Sequence, residues 1–189
     1  MIRTATRVRE RGITGLIQMT IEDLQTWASE DERADILNMA ASDGTVTLFF
    51  SDIEDSTALN ERLGDTTWIR VLEAHDKVLR TQIERYRGQV VKSAGDGFMV
   101  AFRDSEAACR AALGIQRDLP RNVTLRRYGG VQVRIGIHTG QVVARDGDYF
   151  GRNVAMAARV ANLAQGGETL ASEAVREALD EHSDVVLEE

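Results

Sequence analysis

The sequence predicts an α+β fold in which an antiparallel sheet carries helices on one face. Two observations support this fold: short β-rich runs alternate with amphipathic helical patterns, and their order is β-α-β-β-α-β-β-α-β-α. In addition, a chain of 189 residues with 43% hydrophobic content is long enough for one substantial core and an extra segment. The order of elements is typical of the split βαβ, ferredoxin-like arrangement.

Residues 1–43 are predicted to be an N-terminal extension, either a linker or a regulatory helix. The stretch 20–41 begins with a cap-like threonine and early acidic residues, and it places apolar residues among charges. The pattern predicts a helix that ends at SDGT, so that the main domain comprises residues 44–189.

The first half of the main domain contains three predicted elements. The run TVTLFFSDI, 45–53, is predicted to be a strand, and residues 65–88 a long amphipathic helix closed by Gly88. Residues 89–102, QVVKSAGDGFMVAF, predict a hairpin, because Asp-Gly between apolar runs is a strong turn signal.

The second half begins with an alanine-rich helix over 105–119 that stops at Pro120. Residues 131–147, VQVRIGIHTGQVVARDG, are predicted to form a second hairpin that turns at HTG. The remaining predicted elements are a helix over 151–167, a short strand over 168–172, a helix over 172–182 and a final apolar VVL.

The charge balance argues against two classes of partner, nucleic acids and membrane surfaces. The chain has 30 acidic and 23 basic residues, a net charge of -7, and no basic tract, which argues against nucleic-acid binding and against a role at the membrane surface. Neither a signal-peptide pattern nor a run of about eighteen apolar residues occurs, so we expect a cytoplasmic protein. The single cysteine, Cys109, lies in a helical run and is expected to be part of the core.

Several common catalytic centres are absent from the sequence. His75 and His138 have no second histidine at ligand spacing, which makes a zinc site improbable. No G-x-S-x-G, P-loop or G-x-G-x-x-G motif occurs, which removes the usual hydrolase, NTPase and dinucleotide-fold interpretations.

Two aspartates are candidate metal ligands. Asp52 ends the first predicted strand, and Asp96 lies in the turn of the first hairpin. Each also has a plain structural interpretation: Asp52 as the N-cap of a following helix, a role that Asp55 or Ser56 could fill instead, and Asp96 as an ordinary turn residue. Together, however, carboxylates at adjacent strand ends can hold two divalent cations roughly 3.5 to 4 Å apart, a geometry suited to phosphoryl transfer.

Three further polar residues are candidates for substrate binding. Lys92 stands out because Lys77 is the only other lysine among 23 basic residues, so this position could require a compact ammonium. Asp148 lies in a glycine-containing turn before a helix that carries Arg159 among small and apolar residues. A guanidinium fork is well suited to a phosphate. The alternative for Asp148 and Arg159 is purely structural: an aspartate in a turn and a solvated arginine on a helix.

Four motifs in this order resemble the catalytic domain of the class III nucleotidyl cyclases: FFSDIEDST, KSAGDGFMVAF, RIGIHTGQVV and DYFGRNVAMAARV. The resemblance covers about residues 44 to 180 and implies the class III cyclase fold, with residues 44–189 as the catalytic domain. It implies that Asp52, Asp96 and the Ile53 backbone carbonyl bind metal. It also implies that Lys92 and Asp148 read the adenine base and that Arg159 stabilises charge on the phosphates.

The activity that the resemblance implies is that of an adenylyl cyclase, a phosphorus-oxygen lyase. The ribose 3′ oxygen of ATP would attack the α-phosphate with the assistance of two Mg²⁺ or Mn²⁺ ions per site, giving 3′,5′-cyclic AMP and pyrophosphate. The family builds this site between two chains, so a homodimer with shared active sites is implied. Lysine with aspartate suits adenine, whereas glutamate at the lysine position would suit guanine.

The sequence departs from the family at two places. The asparagine that orients the ribose is replaced by Ala155, and Asn153 comes two residues too early, which on a helix is some 200° away. No lysine follows Lys92, although the family uses one in a C-terminal strand segment to bind the triphosphate. Either this sequence is a truncated form or the role of this lysine is unfilled. The two departures keep open the alternative of a catalytically weak or silent nucleotide-binding regulatory module, and a guanylyl cyclase is a further alternative.

Overall fold

The computed structural model describes residues 38–181 and 183–188. Seven strands are present in this part of the chain: β1 (Thr45–Ile53), β2 (Gln89–Ala94), β3 (Gly97–Phe102), β4 (Val133–Gln141), β5 (Val143–Arg145), β6 (Asp148–Phe150) and β7 (Thr169–Ala171). The α-helices of the same part are α1 (Ser56–Leu63), α2 (Asp65–Arg85), α3 (Ser105–Asp118), α4 (Val123–Arg127), α5 (Arg152–Leu163) and α6 (Glu173–Ala178). None of these helices is long and apolar enough to cross a bilayer. Nearly all of the helix predicted over 20–41 lies outside the described residues.

The main sheet has five strands in the order β2-β3-β1-β4-β7. Strand β1 is central and pairs antiparallel with β3 and β4, so that Phe50 lies opposite Met99 on one side and Gly136 on the other. At one edge β7 pairs parallel with β4, and β5 and β6 form a separate two-stranded sheet. The predicted α+β class with an antiparallel sheet is therefore confirmed.

The larger core lies between one face of the sheet and helices α2, α3 and α4. Alternate residues of the strands point to this face, among them Phe49, Phe98 and Phe102, and they pack against buried residues of the helices such as Leu79 and Ile115. Alternation between the two faces is the normal consequence of the strand's two-residue period. This half of the domain matches the predicted arrangement.

Helix α5 is the exception to the prediction that helices lie on one face. It covers the opposite face of the sheet, where Ala157, Ala158 and Ala161 pack with strand residues Leu48, Phe50 and Met99 in a second core. Helix α5 lies close to strand β4 because Gly136 has no side chain, and a Cβ at this position would overlap the backbone of Ala161. A row of alanines facing a glycine lets a helix lie directly on a sheet whose strands are already apolar on that face.

The second predicted hairpin is wrong at its turn. Strand β4 continues through His138, Thr139 and Gly140, each of which pairs with a residue of β1. The chain reverses instead at Asp146 and Gly147, whose φ angles of 53° and 77° are both positive. Asp-Gly with two positive φ angles is the usual turn of a tight hairpin, so the reversal joins β5 to β6.

Candidate active site

Asp52 lies near the end of β1 and is buried, with 8% of its surface exposed. Both of its carboxylate oxygens accept hydrogen bonds from Arg134 on β4: Nε donates to Oδ1 at 3.0 Å and Nη2 donates to Oδ2 at 2.5 Å. Asp52 does not cap a helix, because α1 begins at Ser56 and Asp55 occupies the N-cap position. The interpretation of Asp52 as a helix N-cap is therefore wrong.

Asp96 lies in the tight turn between β2 and β3, next to Gly95 with its φ of 60°. It is a turn residue, but it also makes a contact beyond its own hairpin, since its Oδ2 accepts a hydrogen bond of 3.0 Å from the Ile53 backbone N–H. This bond joins the hairpin turn to the end of β1. The predicted metal ligands Asp52, Ile53 and Asp96 thus lie at the same end of β1, and their role in binding metal stays a prediction.

The electrostatic surroundings of Asp52 favour a cation. Burial raises the pKa of this carboxyl group above its ordinary value, Arg134 opposes the shift through its hydrogen bonds and its charge, and the carboxylates of Asp96 and Glu54 reinforce it. Since several negative groups converge on a buried position, a positive charge there is stabilising.

The donor set fits Mg²⁺ or Mn²⁺. These hard cations prefer oxygen ligands, and Mg²⁺ is commonly held by one or two carboxylates together with substrate phosphates. Within the described ranges, no group of three or more histidine, cysteine, aspartate or glutamate side chains could hold a metal by itself.

Lys92 and Asp148 form an ion pair, with 18% and 10% of their side chains exposed. The pairing of β2 with β3 is irregular between Val90 and Lys92, and such a bulge can redirect a side chain. The Lys92 ammonium also lies 5.9 Å from the centre of the Phe150 ring. Asp148 Oδ1 accepts a hydrogen bond of 2.7 Å from the Tyr149 N–H. The two predicted base-reading residues are therefore in contact.

Arg159 contacts neither the metal-ligand group, which is Asp52, Ile53 and Asp96, nor the base-reading group, which is Lys92 and Asp148. It is exposed on α5 between buried Ala158 and half-buried Val160. Among the described residues it has no hydrogen bond or ion pair to Asp52, Asp96, Lys92 or Asp148. The structure therefore places this predicted residue on the exposed side of α5, without bringing it into contact with the other four.

The metal-ligand group and the base-reading group are separate within one chain. Lys92 on β2 pairs with Met99 on β3, and Met99 pairs with Phe50 on β1. Strand β3 thus lies between Lys92 and the strand that carries Asp52, and two strand spacings amount to roughly 10 Å. Asp96 lies in the turn of the same hairpin as Lys92, beyond the end of β2. No hydrogen bond or ion pair in the described part of the chain joins Lys92 or Asp148 to Asp52 or Asp96.

Sequence reasoning missed Arg134, the partner of Asp52. Its signal was a charged residue inside an apolar strand, VRIGI, where it shares a face with Gly136. An arginine at such a position requires an anionic partner, but only the register of β1 against β4, which pairs Asp52 with Arg134, identifies that partner.

The sequence also did not reveal a buried network around His138. Its Nδ1 is 2.7 Å from Ser172 Oγ, and its Nε2 is 3.1 Å from Asn153 Oδ1. The Asn153 amide donates in turn to the Gln141 carbonyl oxygen at 2.7 Å. Asn153 therefore fixes the first turn of α5 to β4, and it does not replace the polar group missing at Ala155.

Comparisons with known proteins agree with this arrangement. The family model described as "Adenylate and Guanylate cyclase catalytic domain" matches residues 38–189. Receptor-type adenylate cyclase B of Leishmania donovani is 31% identical over 200 residues, which cover 84% of this chain and 15% of that protein. An adenylate cyclase of Mycosarcoma maydis is 36% identical over 157 residues, which cover 70% of this chain and 6% of that protein.

Solved structures show the same similarity in three dimensions. A structure of adenylate cyclases from Trypanosoma brucei in their monomeric state is 30% identical, with a TM-score of 0.69 over 74% of this chain and 78% of the solved chain. The chain spans only a small part of the two relatives named above, 15% and 6% of their lengths. The family model covers most of the sequence, and its range includes the Asp52–Arg134 and Lys92–Asp148 ion pairs. The chain therefore belongs to the family of adenylate and guanylate cyclase catalytic domains.

Proposed function

We propose that the chain is an adenylyl cyclase that converts ATP to 3′,5′-cyclic AMP and pyrophosphate. The observation that carries this proposal is the contact between Lys92 and Asp148, which presents an ammonium donor beside a carboxylate acceptor. Adenine offers a ring nitrogen acceptor next to an exocyclic amine donor, so the two patterns are complementary. Guanine offers the reverse pattern at that edge, and would leave both side chains unpaired.

The surroundings of this pair support a role in binding a base. With both charges mostly buried, each satisfies the other in the absence of a ligand, and an adenine could take over both hydrogen bonds. The Phe150 ring beside the Lys92 ammonium adds an aromatic surface within the range of cation–π contacts.

Asp52, Asp96 and the Ile53 carbonyl would hold the metal ions, two of Mg²⁺ or Mn²⁺ per site. When bound, these ions would supply charge neutralisation on the phosphates and activation of the ribose 3′ oxygen. The residues of the chain contribute mainly position: the Asp96–Ile53 hydrogen bond holds one carboxylate beside the end of β1 that carries the other. An intramolecular attack of the 3′ oxygen on the α-phosphate depends largely on such positioning.

We further propose that the active site is shared between the two chains of a homodimer. Within one chain the base-reading pair and Arg159 make no contact with the metal-ligand group, so a second chain would supply the missing partners. Apolar side chains are exposed on α5, which carries Arg159, and on β5, which pairs with the strand of Asp148: Met156 with 42%, Leu163 with 75% and Val143 with 65% exposure. Apolar side chains on a surface that also carries functional residues are typical of an interface.

Arg159 would stabilise the negative charge that develops on the phosphates, a role that suits a guanidinium with no ion pair to the residues that the structure describes. Ala155 offers no group to orient the ribose. Loss of one oriented hydrogen bond in the transition state typically costs about 10²- to 10³-fold in turnover, so we expect a slow enzyme. Residues 44–189 would form the catalytic domain and residues 1–43 an N-terminal extension.

The rival is a silent nucleotide-binding module, which Ala155 favours, and a guanylyl cyclase is the third candidate. The test is conversion of ATP and, separately, GTP to cyclic nucleotide by the purified chain with Mg²⁺ or Mn²⁺, with Asp96→Ala as the blank. Cyclic AMP above the blank supports the proposal, and cyclic GMP alone indicates the guanylyl cyclase. ATP binding without any product indicates the silent module.

A further inference from the structure

We propose that Arg134 is an internal counter-ion that occupies Asp52 in the absence of metal and must release it when metal binds. The inference rests on the proposed function, because it takes Asp52 to be a metal ligand. Its consequence is that binding of metal alone is weak, whereas binding of metal together with a triphosphate is strong. Arg134 would thus link the two binding events.

The contact has the geometry of a strong pair. Two parallel N–H donors of one guanidinium meet the two oxygens of one carboxylate, at 3.0 and 2.5 Å. Both side chains are largely buried, with 27% and 12% exposed. Bidentate arginine–carboxylate pairs of this kind are the strongest charge-assisted hydrogen bonds in proteins.

The surrounding charges explain why a counter-ion is needed. Asp96 and Glu54 both act electrostatically on Asp52, and Glu54 and Asp55 act on Arg134. Glu54 is itself held in place, because its Oε1 accepts a hydrogen bond of 2.8 Å from the Gly166 N–H. In the described part of the chain, Arg134 is the only cationic side chain that pairs with Asp52. Without it, carboxylates would face each other with no compensating charge.

A divalent cation and a guanidinium cannot share Asp52 without a large cost. At contact distances, charges of the same sign repel strongly in a partly buried site. Metal binding therefore has to break the Arg134–Asp52 pair and leave a mostly buried guanidinium without an anion, which is unfavourable. A triphosphate that arrives with the metal brings phosphate oxygens, and these are the other anion that a guanidinium fork binds bidentately.

The inference can be tested by measuring Mn²⁺ binding to the full chain without nucleotide, from the electron paramagnetic resonance signal of free Mn²⁺. Arg134→Gln removes the counter-ion. Arg110→Gln is the control, because it removes the same charge from an arginine on α3 that pairs with Glu106. We expect Arg134→Gln to bind Mn²⁺ at least about tenfold more tightly than Arg110→Gln does. Affinities of the two variants within twofold of each other would overturn the inference.

A second arm places the extra affinity at Asp52. The double variant Arg134→Gln with Asp52→Asn should lose the gain, and retention of the gain would contradict the inference. With 3′-deoxy-ATP, which lacks the attacking hydroxyl, the wild-type chain should bind Mn²⁺ much more tightly than without nucleotide. In Arg134→Gln the ratio of the Mn²⁺ affinity with 3′-deoxy-ATP to the affinity without it should be at least about tenfold smaller than in the wild-type chain. An unchanged ratio would again overturn the inference.

If Arg134→Gln does not fold by circular dichroism, Arg134→Met decides the question, because it removes the charge and the guanidinium but keeps a long unbranched side chain. Tighter Mn²⁺ binding than in Arg110→Gln is expected there too, and no change would overturn the inference. None of these readouts requires turnover. A wild-type chain that makes no cyclic AMP would refute the proposed activity, whereas equal Mn²⁺ affinities would refute only the role of Arg134.

Discussion

Lys92 on β2 and Asp148 at the start of β6 form an ion pair although their strands belong to different sheets. The pair brings the small β5–β6 sheet to the edge strand of the main sheet. Two residues that are far apart in the sequence thereby present one donor and one acceptor side by side, and this arrangement is the basis for the proposal that the base is adenine.

Substitution of both proposed base-reading residues should change the preference between ATP and GTP. The double variant Lys92→Glu with Asp148→Gly loses the donor for the adenine ring nitrogen and the acceptor for its amine. We expect the ratio of kcat/KM for ATP to that for GTP to fall at least about tenfold, since each unsatisfied hydrogen bond to a base costs about 1 to 3 kcal/mol. Product analysis with both nucleotides measures the ratio. An unchanged preference for ATP would remove Lys92 and Asp148 from base recognition.

Restoration of the missing amide should accelerate the enzyme. Ala155 is half-buried on α5, one helical turn before Arg159. Ala155→Asn places an amide where the family has its ribose-orienting group, and we expect kcat to rise by about tenfold or more. Ala155→Leu, of similar size but without the amide, is the control and should not raise kcat. A rise of equal size in both variants would show that the amide is not the cause.

A methyl group on Gly136 should push α5 away from the sheet. A Cβ at this position would overlap the backbone nitrogen of Ala161, which cannot move without the helix. We expect Gly136→Ala to lower the free energy of unfolding by about 1 to 3 kcal/mol, as overpacking in cores does. Gly114→Ala on α3 is the comparison, because its Cβ would meet mainly the end of the Gln82 side chain. Urea denaturation of both variants measures the difference, and equal stabilities would contradict this packing.

Cys109 should make stability depend on pH in the alkaline range. Burial, with smaller effects of Glu106 and Asp104, raises the pKa of this thiol from 9.0 to about 11. A raised pKa means that the unfolded chain releases its proton first as pH increases. The contribution to the free energy of unfolding is therefore full below pH 9.0 and is lost as pH rises toward about 11.

The measurement for this prediction is the difference in free energy of unfolding between the wild-type chain and Cys109→Ala, from urea denaturation at several pH values. The difference cancels the effects of all other titrating groups. We expect it to be constant below pH 9.0 and to change in favour of Cys109→Ala above it. A difference that does not vary with pH would show that the thiol ionises equally well in both states.

Local patterns predicted the elements more accurately than their packing. Strand β1 and the hairpin of β2 and β3 lie where the apolar runs and the Gly-Asp-Gly turn placed them. The turn predicted at HTG failed because Gly140 serves a different purpose: a Cβ there would collide with the Asn153 side chain. A glycine required by close approach and a glycine required by a turn are indistinguishable in a single sequence.

The site was predictable to the extent that its residues lie on single motifs. Asp52, Asp96, Lys92 and Asp148 each lie on a motif. The structure joins the Asp96 turn to the end of β1 and brings Lys92 into contact with Asp148, and the roles of these residues stay predictions. The Arg134–Asp52 pair and the position of α5 depend on contacts across strands and helices far apart in the sequence. Periodicity gives no information about such contacts.

If residues of two chains complete one adenylyl cyclase site, a mixture of two variants that are inactive alone should regain activity. Asp52→Ala and Arg159→Ala should each make no cyclic AMP from ATP, whereas the wild-type chain does. In an equal mixture, random pairing makes half of the dimers mixed, and each mixed dimer has one intact site, so about a quarter of wild-type activity should return. No recovery of cyclic AMP, with mixed dimers shown to form, would contradict the shared site.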